Sequence, residues 1–235
     1  MPKNKEVVSL TDQLIRFKTT SDNYLELKRC MRFIEKYFSG CDVVIRKYER
    51  NKKPSLVVLF KQTKRLGLFL VGHIDVVPGD DEQFKPIVKS GRLYGRGALD
   101  NKVSVTIMMA LMRYYSKQNH RPNIGLMITS DEEVGGKNGV EYLLKKQGYS
   151  ANFGLVLDAG ERYEIVTKEK GALHLKLSAK GKEAHGSKPW KGENAIDDLA
   201  LVNGRAAAPA SRRGWRKKGL DQKPLFVGEV YRNFE

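Results

Sequence analysis

The sequence predicts an α/β fold: a mostly parallel sheet with helices on both faces, followed by the first strand and helix of a smaller α+β domain. Three observations carry this expectation. Apolar strands alternate with amphipathic helices between Leu66 and Leu157. The strand and turn ends in that stretch carry His, Asp and Glu, which is where open α/β sheets present chemistry. From Gly171 the pattern restarts with an alternating strand, so residues 1–170 read as one domain, 171–205 as part of a second and 206–235 as an irregular basic tail.

Taken in order, Val7 to Thr19 and Asn23 to Phe38 read as helices, the second with Leu27, Met31, Ile34 and Phe38 on one face. Gly40 sits where a left-handed C-terminal cap belongs. Cys41 to Tyr48 and Ser55 to Phe60 read as strands joined by a turn over Arg50 to Pro54, and Leu66 to Val71 as an apolar, central strand. A hairpin is expected from Ile87 to Tyr94 around Ser90-Gly91. Asp100 to Lys117 reads as a helix presenting Val103, Ile107, Ala110, Leu111 and Tyr114. The strand Ile124 to Thr129, the helix Asn138 to Lys146 and the strand Phe153 to Leu157 complete the alternation. Beyond it, Ala172 to Ala179 is an alternating strand, Gly181 to Gly192 a loop with His185, and Asn194 caps a helix bearing Ile196, Leu199 and Val202.

Composition excludes several classes. The chain of 235 residues has no apolar run long enough to span a bilayer, and Met1 to Leu10 lacks the hydrophobic stretch of a signal peptide, which leaves the cytoplasm as the expected location. Cys30 and Cys41 lack the spacing of a zinc knuckle or a redox pair and read as reduced thiols. The net charge of +16 raises a nucleic-acid reading, but the basic residues are spread over the chain without interleaved aromatics. A solvated surface that favours anionic small substrates is the preferred reading.

Three clusters carry the chemistry: Gly72-His73-Ile74-Asp75, Gly95-Arg96-Gly97-Ala98-Leu99-Asp100-Asn101-Lys102 and Ser130-Asp131-Glu132-Glu133. Singly, each has an ordinary structural reading: a hydrogen-bonded pair, a helix cap, a solvated helix start. Together with Asp158 they place carboxylates and an imidazole at four strand or turn ends that a parallel sheet brings to one edge. Such carboxylates repel one another unless a cation compensates, and mixed His and carboxylate ligation suits zinc, cobalt or manganese.

These motifs, with Ala184-His185-Gly186-Ser187-Lys188-Pro189, resemble those of the M20 metallopeptidases and deacylases, in order, from about Val7 to Asn203. The resemblance implies a three-layer zinc-peptidase-like catalytic domain, a lid domain through which homodimers form, and hydrolysis of an N-acyl amino acid or short peptide by water activated at two zinc ions. It implies that His73 and Asp158 bind one zinc, that Asp100 bridges both across a cis peptide to Asn101, and that Glu133 binds the other. Glu161 is the less favoured substitute for Asp158. Asp75 would orient the His73 ring, Glu132 would be the general base, and His185 would stabilise the oxyanion in the partner's site. The other histidines, His120 and His174, match no family ligand.

The sequence also departs from the family. No histidine follows His185 to complete the second site, and nothing in Ala206 to Glu235 resembles the family's return to the catalytic sheet. The change of composition near Gly204-Arg205 therefore reads as a C-terminal truncation. Two further readings stand beside the hydrolase: an inactive family member that binds at most one metal, and a basic nucleic-acid binder.

Overall fold

The first two-thirds of the chain builds its sheet from β1 (Val44–Arg50), β2 (Lys53–Leu59), β3 (Arg65–His73), β6 (Ile124–Thr129) and β7 (Ser150–Val156), with β4 (Ile87–Lys89) and β5 (Arg92–Tyr94) as a separate hairpin. This is a computed structural model, and it describes residues 4–158, 173–206 and 229–232. The strand order is β1-β2-β6-β3-β7. The β6-β3 and β3-β7 pairs are parallel, whereas β2 runs antiparallel to both β1 and β6. Four strands thus point one way and β2 alone opposes them, so the sheet is mixed. The reversal follows from the tight turn at Asn51-Lys52, where both residues take positive φ and Arg50 pairs with Lys53.

Helices cover both faces. Leu56, Val58, Leu70, Leu126 and Ile128 pack against α1 (Asn4–Ile15), α2 (Tyr24–Tyr37) and α3 (Lys102–Ser116). On the other face Val57, Leu59, Phe69 and Met127 pack against Leu143 of α4 (Val140–Lys145) and Tyr149. This two-sided burial explains why β2 is apolar at successive positions rather than alternating. On β7, by contrast, Phe153, Leu155 and Val156 are exposed.

Several boundaries move from the sequence reading, each for a tertiary reason. α1 stops at Ile15 instead of Thr19, because the Thr19 hydroxyl donates to the Ile74 carbonyl at 2.6 Å and the Thr19 carbonyl accepts from Val76 N at 3.1 Å. α3 is buried chiefly through Val105, Met108, Met109 and Met112; of the expected face Ala110 is buried and Leu111 packs against the core, but Ile107 is exposed. A helix apolar on most of its circumference does not reveal which arc meets the sheet. The hairpin at Ser90-Gly91, the buried face of α2 and the positive φ of Gly40 agree with expectation.

The second unit, Val166–Glu235, contains β8 (Leu173–Lys176), α5 (Ala195–Ala206) and β9 (Glu229–Arg232). β8 and β9 pair antiparallel, Leu173 opposite Arg232. Four residues of the stretch expected to be an irregular tail are therefore a strand, recruited by β8; most of 206–235 lies outside the described residues. Among the described residues no helix is long and apolar enough to cross a membrane.

Candidate metal centre

The parallel trio β6-β3-β7 ends its strands side by side, with β3 in the middle. His73 is the last residue of β3 and lies opposite Thr129, the last of β6. Its ring is buried, and the side chain of Asp75 just beyond it is completely so. Nδ1 of His73 donates to the Asp75 carbonyl at 3.0 Å, with the Asp75 carboxylate 3.4 Å away. That contact fixes the ring and turns Nε2 towards the strand ends.

Around Nε2 three carboxylates gather: Asp100 at 3.1 Å, Asp158 at 3.5 Å and Glu132 at 3.7 Å. Each comes from a different segment, the turn before α3, the end of β7 and the turn after β6. One ligand atom from each of His73, Glu132 and Asp158 lies within 4.8 Å of the others, as a shared cation requires. Nε2 itself is buried without a hydrogen-bond partner, because the carboxylates approach it in poor hydrogen-bond geometry. An orphaned imidazole nitrogen facing three anions is a donor set that fits a divalent cation.

The electrostatics agree. Burial works against the charged form of His73, yet the hydrogen bond and charge of Asp75, with Glu132 and Asp100, raise it to about 9. Partial desolvation pushes the Glu132 carboxyl up, which His73 opposes and Asp158 reinforces. Glu133 is raised by desolvation and then by Asp100. The carboxylates that hold a proton on His73 are the charges that would attract a cation, whereas the protons favoured on Glu132 and Glu133 owe first to desolvation.

The expected residues are not all brought together equally. Asp100, although 3.1 Å from Nε2, and Glu133 both stand outside the three-residue cluster. The Glu133 backbone N–H donates to Asp75 Oδ2 at 3.0 Å, so Asp75 holds the imidazole through its carbonyl and the Glu132-Glu133 turn through its carboxylate. The Asp100-Asn101 peptide is cis, as the resemblance implied. His185 belongs to the second unit, where it is exposed and its Nδ1 lies 2.9 Å from Ser187 Oγ. Glu161 lies outside the described residues.

Two residues at the site escaped the sequence reading. Asp131, fully buried, accepts from Asn138 N at 2.7 Å through its side chain and from Gly136 N at 2.8 Å through its carbonyl, closing the turn that carries Glu132 and Glu133. In sequence it is one acid in an acidic run, and only its burial distinguishes it. Asn101 is the second, and its side chain donates to the Leu157 carbonyl at 2.8 Å.

Known proteins share this fold. In fold, the chain is similar to human carnosine dipeptidase 1, with a TM-score of 0.62 at 19% identity over 85% of this chain and 49% of that one. It is equally similar to an M20 family metallo-carboxypeptidase from Sulfolobus solfataricus, TM-score 0.62, 18% identity, 84% and 49% covered. In sequence it is 28% identical to an uncharacterized metallohydrolase of Methanocaldococcus jannaschii, over 85% of this chain and 55% of the relative. It is 34% identical to a succinyl-diaminopimelate desuccinylase of Coxiella burnetii, over 55% of this chain and 38% of that protein. The chain thus spans about half, or less, of the length of these curated relatives. The pattern of peptidase family M20/M25/M40 matches residues 69–208, from the strand that delivers His73 past the motif around His185. With the clustered His73, Glu132 and Asp158 inside that span, the chain belongs to peptidase family M20/M25/M40.

Proposed function

We propose that this chain carries the catalytic centre of a zinc-dependent amide hydrolase acting on an N-acyl amino acid or short peptide. The observation that carries the reading is the convergence of three carboxylates on the orphaned Nε2 of buried His73. His73, Asp100 and Asp158 are the ligands of one cation, and Asp100 with Glu133 the protein ligands available to a second. Nitrogen and oxygen donors suit Zn2+, with Co2+ or Mn2+ as substitutes. When bound, such ions supply Lewis acidity that lowers the pKa of a water and polarises the scissile carbonyl. Glu132 takes a proton from the attacking water and delivers it to the departing amine, a role its raised pKa supports. Asp75 holds the His73 ring, and His185 is assigned to the oxyanion on the resemblance alone.

The test is metal stoichiometry on the full chain with turnover of N-succinyl and N-acetyl amino acids. Glu132→Gln is expected to retain the metal and lose activity by about 10²–10⁴-fold, the share of general acid-base catalysis. Absence of bound metal sinks the reading. A single ion with no turnover in either protein supports the alternative, an inactive relative with one metal, which the smaller ligand set at Asp100 and Glu133 favours. Dimer formation through the second unit and a cytoplasmic setting belong to the same proposal.

A further inference from the structure

Asn101 occupies the N-cap of α3, where an asparagine ordinarily accepts from the backbone of the first helical turn. Here it makes no such bond. Its Nδ2 donates instead to the Leu157 carbonyl, 56 residues away in sequence. Both ends of that bond adjoin a carboxylate, because Asp100 precedes Asn101 and Asp158 follows Leu157. Those carboxylates are the ones found 3.1 and 3.5 Å from His73 Nε2.

The amide is tightly held. Asn101 is 1% exposed, and its Oδ1 would lie 3.0 Å from a Cβ placed on Gly72, the residue before His73. The side chain is therefore lodged between β3 and the end of β7. Asp100, by contrast, has an exposed side chain with little packing to restrain it. The ladder between β3 and β7 ends at Val156 opposite Val71. Among the described residues, the Asn101 bond is the tether that reaches the backbone between that last pair and Asp158.

We propose that Asn101 is a positioning residue whose side chain, by giving up the helix cap to bind the Leu157 carbonyl, sets the separation of Asp100 and Asp158 for one shared divalent cation. This rests on the metal-site reading above. A hydrogen bond that orients metal ligands without touching the metal is worth about 10–100-fold in affinity.

The experiment is a Co2+ titration of the full chain followed by calorimetry and visible absorption, beside thermal melts of the metal-free protein. Asn101→Leu keeps the volume and removes the donor; Asn101→Ala removes both and serves if the first variant does not fold. Each is expected to weaken Co2+ binding about 10–100-fold and to change the ligand-field band. A role confined to packing would lower the metal-free melting temperature and leave the band of the bound ion unchanged. Variants with wild-type affinity and an unaltered band overturn the inference while the metal site stands. A wild-type chain that binds no Co2+ overturns both.

Discussion

Adding one methyl group at Gly72 is the sharpest test of how the floor of the site is built. A Cβ there would meet Met108 Cε at 2.6 Å, Asn101 Oδ1 at 3.0 Å and Val105 Cγ2 at 3.1 Å. The first contact is closer than real Cβ atoms tolerate, and Met108 is 1% exposed, so its thioether has little space to retreat into. Overpacking a well-filled core costs about 1–3 kcal/mol. Replacing a strand glycine with alanine returns about 0.5–1 kcal/mol through reduced freedom of the unfolded chain. Taking the middle of each range, the expected net loss is about 1 kcal/mol, or about 2–4 °C in melting temperature for a chain of this size. Urea denaturation of the metal-free protein reads it directly, and Met108→Leu, which removes the offending Cε, should restore part of the loss. Since the same methyl presses on Asn101 Oδ1, metal affinity should fall along with stability. If Gly72→Ala is as stable as wild type, the tight packing between β3 and α3 is refuted, and with it the account of why Asn101 is held rigidly.

Two further outcomes follow from burial. Cys30 is fully buried and its thiol is pushed up to about 12, chiefly by desolvation. The unfolded chain therefore sheds this proton near pH 9 while the fold retains it, so Cys30 contributes a stability loss from about pH 9 up to about 12, with a slope approaching 1.4 kcal/mol per pH unit. Lys102, lowered to about 8 mainly by burial, acts with the opposite sign between about 8 and 10.5, and its charge and that of Cys30 act on each other, so the difference between wild type and Cys30→Val in alkaline urea titrations reads the thiol together with its effect on Lys102. A thiol reagent should label the partly exposed Cys41 in the native protein and Cys30 only after denaturation. Among the described residues β7 is an edge of the sheet, Phe153 is 73% exposed on it, and the strand, Ser150–Val156, carries no charge, the composition that lets sheet edges pair between molecules. Phe153→Lys is expected to reduce light scattering on concentration while changing stability by no more than about 0.5 kcal/mol, and an unchanged aggregation onset would exclude this edge as the contact.

Residues that act through their neighbours in sequence were legible before any coordinates. His73, Asp100, Glu132 and Asp158 follow apolar runs or glycine turns, and a parallel sheet has no choice but to deliver such positions to one edge. The strands, the Ser90-Gly91 hairpin and the apolar face of α2 were legible for the same local reason. What escaped depends on partners distant in sequence. The end of α1 is decided by Thr19 bonding across to Ile74 and Val76, and the buried arc of α3 by which methionines fit over β3 and β6. The roles of Asn101 and Asp131 are hydrogen bonds to main-chain atoms, whose positions no pattern of side chains encodes.

That division explains how a site with exposed carboxylates can hold its shape. Packing immobilises His73 and Asp75, which are 2% and 0% exposed, but it cannot immobilise Asp100 or Glu132, whose side chains are 61% and 52% exposed. Backbone hydrogen bonds to buried polar side chains take over: Asp75 receives Glu133 N, Asp131 receives Asn138 N, and Asn101 reaches Leu157. The bonds of Asp75 and Asn101 fix the main chain at or beside an exposed acid, and that of Asp131 anchors the residue before Glu132, so the acids stay open to solvent while their Cα positions are set from below. Mutations in these three supports should consequently disturb metal binding more than their small contribution to the apolar core would suggest, and mutations of exposed lysines and arginines around the rim should not.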